Sequence, residues 1–420
     1  MVAPPSTRVR TRRPELDAIR LVVVLGLVFF HSALVFDERD DFYVKNAQTT
    51  EAVTWVAGLG VVWAMPALFL IAGLGSWHSI QRRGARGFVR ERLLRLGVPL
   101  VFATVTIVPV PQWLRLKAAD PGYDESYPRF LLRFFDVRLE PSDFPFLLEG
   151  EHFETGHLWF VVLLLAFSLM LAPLAARLPV GRLSWVARRG VFLVVPALLL
   201  MVIGALLGME EAFAGWSRWA YLLFFVLGFV LAADDRFRTA MRRDARVAAV
   251  AGIVLFGGAG ALLSSADGEP FTDMTAHAIG ARLFFAAAGW CWLVAILGLL
   301  DRPDRRDRSA EPAAGPADSR LTAPRDRPVL AYLAAAALPL YILHQPIVVT
   351  VAYFAVRWPT PMIVKYLALV AISFVVMFAV YEVLVRRTRP TRFLFGMRDP
   401  VRPDRGAALP DRRGSPGRAV

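Results

Sequence analysis

The chain has 420 residues, of which 56% are apolar, 12% aromatic and only 20% charged, and its mean hydropathy is +0.49. A soluble domain carries roughly 25% charged and 45–50% apolar residues, so this balance excludes an ordinary cytosolic enzyme, a disordered chain, a collagen and a coiled coil. Net charge is +13 with an isoelectric point near 10.6, which in a soluble protein would raise the question of nucleic acid.

A membrane-crossing helix needs about 20 mostly apolar residues. In chain order the sequence predicts ten such spans, at 16–36, 53–78, 93–110, 157–176, 191–208, 217–233, 247–264, 279–300, 329–355 and 362–385. Only helices satisfy every backbone polar group within one span, so the expected class is all-α, a polytopic transmembrane helix bundle. The third span is interrupted by Arg95, Pro99 and Pro109. Lys and Arg number 35 in the segments 1–15, 79–92, 177–190, 234–246, 301–328 and 386–420, against 8 in the segments between them. By the positive-inside rule this places both termini in the cytoplasm and the protein in the cell membrane. The basic charge is then topology, and no nucleic-acid partner is expected.

The basic N-terminus, 1–15, leads into a single transmembrane domain, 16–395. Arg8, Arg10, Arg12 and Arg13 precede a long apolar run with no small-residue cleavage site, so the first span is expected to stay in the membrane. The cytoplasmic linker 301–328 and the tail 396–420, rich in Arg, Asp and Pro, are expected to be unstructured. In the outer segment 111–156, Phe130, Leu131, Phe134, Phe135 and Val137 alternate with Arg129, Arg133 and Arg138, a pattern suited to lying in the interface beside an outward-facing site.

An ionisable side chain within a span costs about 2.5–3.5 kcal/mol or more, so each is a functional hypothesis. Arg20 and His31 are eleven positions apart in the first span, three helical turns, and so share one face at a separation of ~16 Å. Asp17, three residues before Arg20, can neutralise it. Arg92 and Arg95 open the third span three apart on one face, a pair whose planar forks suit phosphate. The fourth span opens with His157, Leu158 and Trp159. The ninth carries Tyr341, His344, Gln345 and Pro346, where proline breaks the helix beside a polar cluster that favours a cavity lining. Snorkelling explains Arg218, Arg282 and Lys365 near span ends, and Glu382 is expected to pair with Arg386.

Cys291, which sits in an apolar run, is the one cysteine, which excludes an intrachain disulfide and a cysteine-based zinc or iron–sulfur site. The histidines show no i,i+4 pairing, and no Walker lysine, Gly-rich dinucleotide fingerprint or Gly-x-Ser-x-Gly elbow occurs; no metal and no permanently bound cofactor are expected.

At these residues the chain resembles the acyltransferase 3 family of integral-membrane O-acyltransferases. Leu16, Asp17, Arg20 and His31 resemble its first signature, and Arg92 with Arg95 its second. Residues 66–75 resemble its Phe-Leu-x-Ser-Gly stretch, with Ala72 where serine is usual. His157 to Phe160 and Tyr341-x-x-His344-x-Pro346 are similar to later blocks, and the end from Tyr381 looks closest to glucan succinyltransferases.

The resemblance implies transfer of an acyl group from cytoplasmic acyl-CoA to a hydroxyl of an extracytoplasmic acceptor, often a carbohydrate. Arg92 and Arg95 would hold the CoA phosphates, and Arg20 with Asp17 the donor deeper in the bundle. His31, with an ordinary pKa near 6.5, would act as general base or as covalent acyl carrier. His157, Trp159, Tyr341 and His344 would line the acceptor side, with a periplasmic or extracellular protein as a further partner. The rival reading is a secondary transporter whose Arg20, His31 and His344 line a polar pathway; a scaffold would leave the shared face of Arg20 and His31 without a purpose.

Overall fold

The computed structural model describes residues 13–175, 177, 180–265, 268–301 and 328–397. Fourteen α-helices run through these residues: α1 (Pro14–Leu34), α2 (Ala52–Val61), α3 (Ala64–Arg92), α4 (Val98–Thr106), α5 (Pro109–Ala119), α6 (Tyr127–Phe134), α7 (Trp159–Leu171), α8 (Val191–Leu207), α9 (Arg218–Ala233), α10 (Asp235–Ser264), α11 (Ala276–Leu300), α12 (Pro328–Ala355), α13 (Met362–Val380) and α14 (Arg389–Leu394). The strands among the described residues are one short antiparallel pair, Arg138–Leu139 with Leu148–Glu149. The fold is therefore an all-α bundle. The expected unstructured segments fall almost wholly outside the described residues.

Seven stretches are long and apolar enough to cross a membrane: Pro14–Leu34, the broken run Ala52–Ala119, Glu211–Ala233, Asp235–Ser264, Ala276–Leu300, Val329–Ala355 and Met362–Val385. An eighth results if Gly181–Ala187 and Val191–Leu207, bent by 105°, count as one, and Gly156–Leu171 is apolar but shorter. The run from Ala52 to Ala119 carries two of the ten expected segments.

The third of these segments differs from expectation. Leu93–Gly97 is a π-helical turn, α4 starts at Val98 with Pro99 in its first turn, and Pro109 opens α5, which continues to Ala119 beyond the predicted end at 110. Proline is tolerated in a first helical turn because the N–H it lacks has no partner there anyway. Of the interruptions read from the sequence, Pro99 and Pro109 thus stand in first helical turns and Arg95 lies within the π turn. α3 is itself divided at Gly84, whose φ of 69° and ψ of 170° interrupt the helix.

The core is held by α3 against α9, α10 against α11, α11 against α8, and α1 and α13 against α12. At the α3–α9 crossing a Cβ added to Gly73 would lie 2.1 Å from the Phe225 carbonyl oxygen, and one added to Gly228 2.2 Å from that of Leu70. Only glycine admits backbones this close, which is how helices pack where lipid offers no hydrophobic drive between them.

α6 lies where the alternating aromatic and basic segment was predicted, but its Phe130 and Phe134, one turn apart, are fully buried within the protein, while Leu132 stays exposed. Phe134 packs against Phe153, and Phe130 against His152, with tilted rings. Phe130 and Phe134 thus pack into the protein, while Leu132, Phe135 and Leu139 of the same segment are exposed.

The three cations assigned to snorkelling are all engaged. Lys365 is buried and donates to Asn46 Oδ1 at 2.9 Å and to the Val356 carbonyl at 2.8 Å. Arg218 pairs with Glu210 at 2.6 Å and Asp143 at 2.7 Å. Arg282 is 1% exposed and reaches the Pro270 carbonyl at 3.3 Å. Each finds carbonyl or carboxylate oxygens within the protein. Glu382 pairs with Arg386 as expected, at 3.0 Å, and also accepts from Tyr332.

Candidate active site

α1 delivers His31 near its C-terminal end, α12 delivers His344, and the single 3₁₀ turn Gly156–Leu158 ahead of α7 delivers His157. The three rings meet. His344 lies with its centroid 5.0 Å from that of His31 and 5.0 Å from that of His157. His157 and His344 are buried and His31 is half-buried beneath Phe42, whose ring stacks on it at 5.7 Å.

Backbone carbonyls fix two of the rings. His157 Nε2 lies 2.9 Å from the Ile342 carbonyl and His344 Nδ1 lies 2.5 Å from that of Tyr341. A carbonyl can only accept, so each of these nitrogens carries the proton, which leaves His344 Nε2 with its lone pair when the ring is neutral. The Tyr341 hydroxyl donates to the carbonyl of His157, tying α12 to the 3₁₀ turn from the other direction. His344 Nε2 and His31 Nδ1 are buried and have no hydrogen-bond partner among the described residues.

The free carbonyl of Ile342 has a local cause. Ile342 stands four residues before Pro346, and proline has no N–H to return to it. Instead of breaking the helix, as the sequence suggested, Pro346 sits inside the continuous α12, and His157 from another element takes the vacated acceptor.

Arg20 and Arg92 meet one stretch of α3. Arg20 bonds Asp17 at 3.4 Å and the Ile71 carbonyl at 3.2 Å, and a Cβ on Gly75 would lie 3.7 Å from its guanidinium. Arg92 donates to Ser76 Oγ at 2.7 Å and lies over the Phe88 ring. Arg95 turns elsewhere, to the Gly396 carbonyl at 3.4 Å and Glu91 at 3.8 Å. A π turn begins right after Arg92 and contains Arg95.

Trp159 does not join the histidines. It packs among Phe69, Phe160, Phe213 and Tyr221, and reaches the site indirectly through Phe160, which lies against Tyr341. The bundle thus gathers His31, His157, His344 and Tyr341 in one place and Asp17, Arg20 and Arg92 in another, both linked by α1.

A family model described as an acyltransferase domain matches residues 13–382. The chain belongs to the acyltransferase 3 family. The match spans most of this multi-pass membrane acyltransferase and includes every residue of both clusters. No curated protein matches it, and no solved structure does. Among the described residues of the acyltransferase, no group of three or more His, Cys, Asp or Glu is arranged to hold a metal ion, the histidine trio included.

Several residues around the site escaped the sequence reading. Ser76 lies one turn beyond Ala72, donates to the Ala72 carbonyl at 2.8 Å and accepts from Arg92, so a hydroxyl is present on this face although position 72 lacks one. The i,i+4 spacing was the available signal. Beside the histidines, the Tyr43 hydroxyl donates to Glu154, with Gln345 and Arg115 next to them. Burial raises the Glu154 carboxyl above its ordinary range, against the opposing pull of the Tyr43 hydrogen bond and the Arg115 charge. Nothing in a linear sequence brings 43 to 154. The loop holding Phe42 and Tyr43 is itself built on Lys45, which donates to the carbonyls of Leu34, Asp37 and Asp40, and on Asp37, which accepts from Thr54 and two backbone N–H groups.

Proposed function

We propose that this acyltransferase moves an acyl group such as acetyl or succinyl from cytoplasmic acyl-CoA to a hydroxyl of an extracytoplasmic carbohydrate or glycan. The observation that carries this reading is the histidine trio, in which buried nitrogens of His31 and His344 stand unpartnered beside each other at one end of α1, while Arg20 occupies the other end of the same helix. Ten spans, cytoplasmic termini and residence in the cell membrane follow from the distribution of Lys and Arg.

In the proposed reaction the acceptor hydroxyl gives its proton to His31 as its oxygen attacks the thioester carbonyl. The C–O bond forms, the C–S bond breaks, and the CoA thiolate leaves with the proton, so acceptor plus acyl-CoA become ester plus free CoA. His344, its tautomer set by Tyr341, presents Nε2 to His31 and can share that proton. His157 and Tyr341 hold the rings in place and Trp159 backs them. Arg92 and Arg95 take the phosphates of CoA, and Arg20, charge-balanced by Asp17, takes the donor between the two ends. A covalent acyl-His31 intermediate uses the same atoms in two steps. A periplasmic or extracellular protein that carries the acceptor fits the short loops.

The test is mass spectrometry of base-labile acyl groups on envelope glycans and small glycosides from cells with the native protein, without it, and with His31→Ala. The expected result is a mass increment present only with the native protein. Its retention in His31→Ala overturns the assignment of His31; its absence from all three, with the protein in the membrane, overturns the acyl-transfer reading in favour of transport.

A further inference from the structure

We propose that Tyr43, Glu154 and Gln345 form the acceptor subsite and that it takes a neutral polyol, a sugar ring with adjacent hydroxyls. This deepens the acyl-transfer reading and rests on it. Each of the three residues is fastened to a different histidine. Tyr43 follows Phe42, which stacks on His31; Glu154 lies three residues before His157; Gln345 follows His344. The Gln345 side chain also bonds the Tyr43 hydroxyl, so the three polar groups form one cluster beside the trio.

The chemistry of the donors and acceptors selects the ligand. The Tyr43 hydroxyl supplies the one hydrogen bond that Glu154 accepts among the described residues. A carboxylate has about four acceptor sites, which leaves room for the two parallel O–H donors of a vicinal diol. Gln345, buried beside Tyr43, both donates and accepts, as a sugar hydroxyl requires. Arg115 lies close enough to offset the negative charge of Glu154, so a cationic amine gains little here and a neutral polyol is favoured. Glu154 and Tyr43 are only half-buried, and Gly156 lies against both: a Cβ there would stand 3.3 Å from the Tyr43 hydroxyl and 3.7 Å from a Glu154 oxygen. With two hydroxyls on Glu154, the next hydroxyl of the ring is presented to the histidines.

The experiment measures methyl β-D-glucoside binding to the full-length protein in nanodiscs by saturation-transfer NMR, and separately CoA-thiol release from acetyl-CoA with the same sugar. Glu154→Gln keeps the shape but loses the charged acceptor, and Tyr43→Phe leaves the carboxylate in place while removing its donor; retained acetyl-CoA binding shows that each variant is folded. The expected result is wild-type binding in the millimolar range, weakened at least tenfold by Glu154→Gln and about threefold or more by Tyr43→Phe. Wild-type protein that binds no sugar, or variants that bind it as the wild type does, overturn the subsite. Sugar binding that follows this pattern without any thiol release supports the subsite and overturns the acyl-transfer reading alone.

Discussion

Replacing Pro346 with alanine should make the protein more stable and slower at once. Proline inside a helix is about 3 kcal/mol less favourable than alanine, and α12 carries Pro346 in its interior. Alanine restores an N–H aimed at the Ile342 carbonyl, the group that now accepts from His157 Nε2 at 2.9 Å. That hydrogen bond contributes about 0.5–1.5 kcal/mol net. A carbonyl has two lone pairs, so His157 is displaced from its best position rather than expelled. The balance is a gain of about 1.5–2.5 kcal/mol in stability, from the propensity and hydrogen-bond figures together. If the same 0.5–1.5 kcal/mol is lost from positioning in the transition state, kcat falls roughly 2- to 12-fold. Thermal unfolding of the purified protein reads the first quantity, and CoA-thiol release at saturating acetyl-CoA and sugar reads the second. An unchanged kcat, or a lower midpoint, would refute the idea that proline serves here to free a carbonyl for the histidine.

The remaining expectations separate chemistry from packing. His31→Ala should lower the rate by about 10²–10⁴, the range of a lost general base, whereas His157→Ala, which removes a ring held on the Ile342 carbonyl, should lower it about tenfold; equal losses would remove the distinction between base and support. Gly228→Leu drives a side chain into the Leu70 carbonyl 2.2 Å from its Cβ and should abolish the monodisperse peak of a fluorescent fusion on size exclusion, while Gly26→Leu, with nothing within 4 Å of its Cβ, should keep it. The Asp40 carboxyl is pushed up to about 6, mainly by burial, with Asp37, Glu211 and Asp41 adding to the effect and Lys45 opposing it. Its folded pKa exceeds the ordinary 3.8, so the stability it contributes is full below about pH 4 and is lost as pH rises through 6. Asp40→Asn should therefore raise the unfolding midpoint at pH 8 and leave it unchanged at pH 4; an equal rise at both would mean that ionisation is not the cause.

The helical class was legible because a 20-residue apolar run admits few alternatives, and Arg20 with His31 was legible because helical phase alone puts them on one face. The meeting of His31 with His344 and His157 was not, since it depends on how α1, α12 and the 3₁₀ turn pack, and periodicity is silent on neighbours. Pro346 shows the limit most clearly. Its dihedral and missing N–H are properties of the residue, but whether they break a helix depends on whether another group, here His157, satisfies the carbonyl left behind. Arg92 and Arg95 were read on an ideal 3.6-residue turn, and a π turn at Leu93–Gly97 stands where that regular step was assumed. Lys365 was read as a surface cation because Asn46 is 319 positions away.

α1 acts as a ruler. Its helix is continuous from Pro14 to Leu34, so the eleven positions from Arg20 to His31 fix both an angle and a length. One inserted residue turns His31 by about 100° and advances it ~1.5 Å, which carries it off the His344 face. Seven inserted residues return it to within about 20° of its original bearing, yet set it ~10 Å farther from Arg20. The two insertions thus ask different questions of the same helix, one about direction and one about span. A donor whose two ends must be gripped together is sensitive to both, and the spacing itself becomes a property of the substrate that this helix accepts.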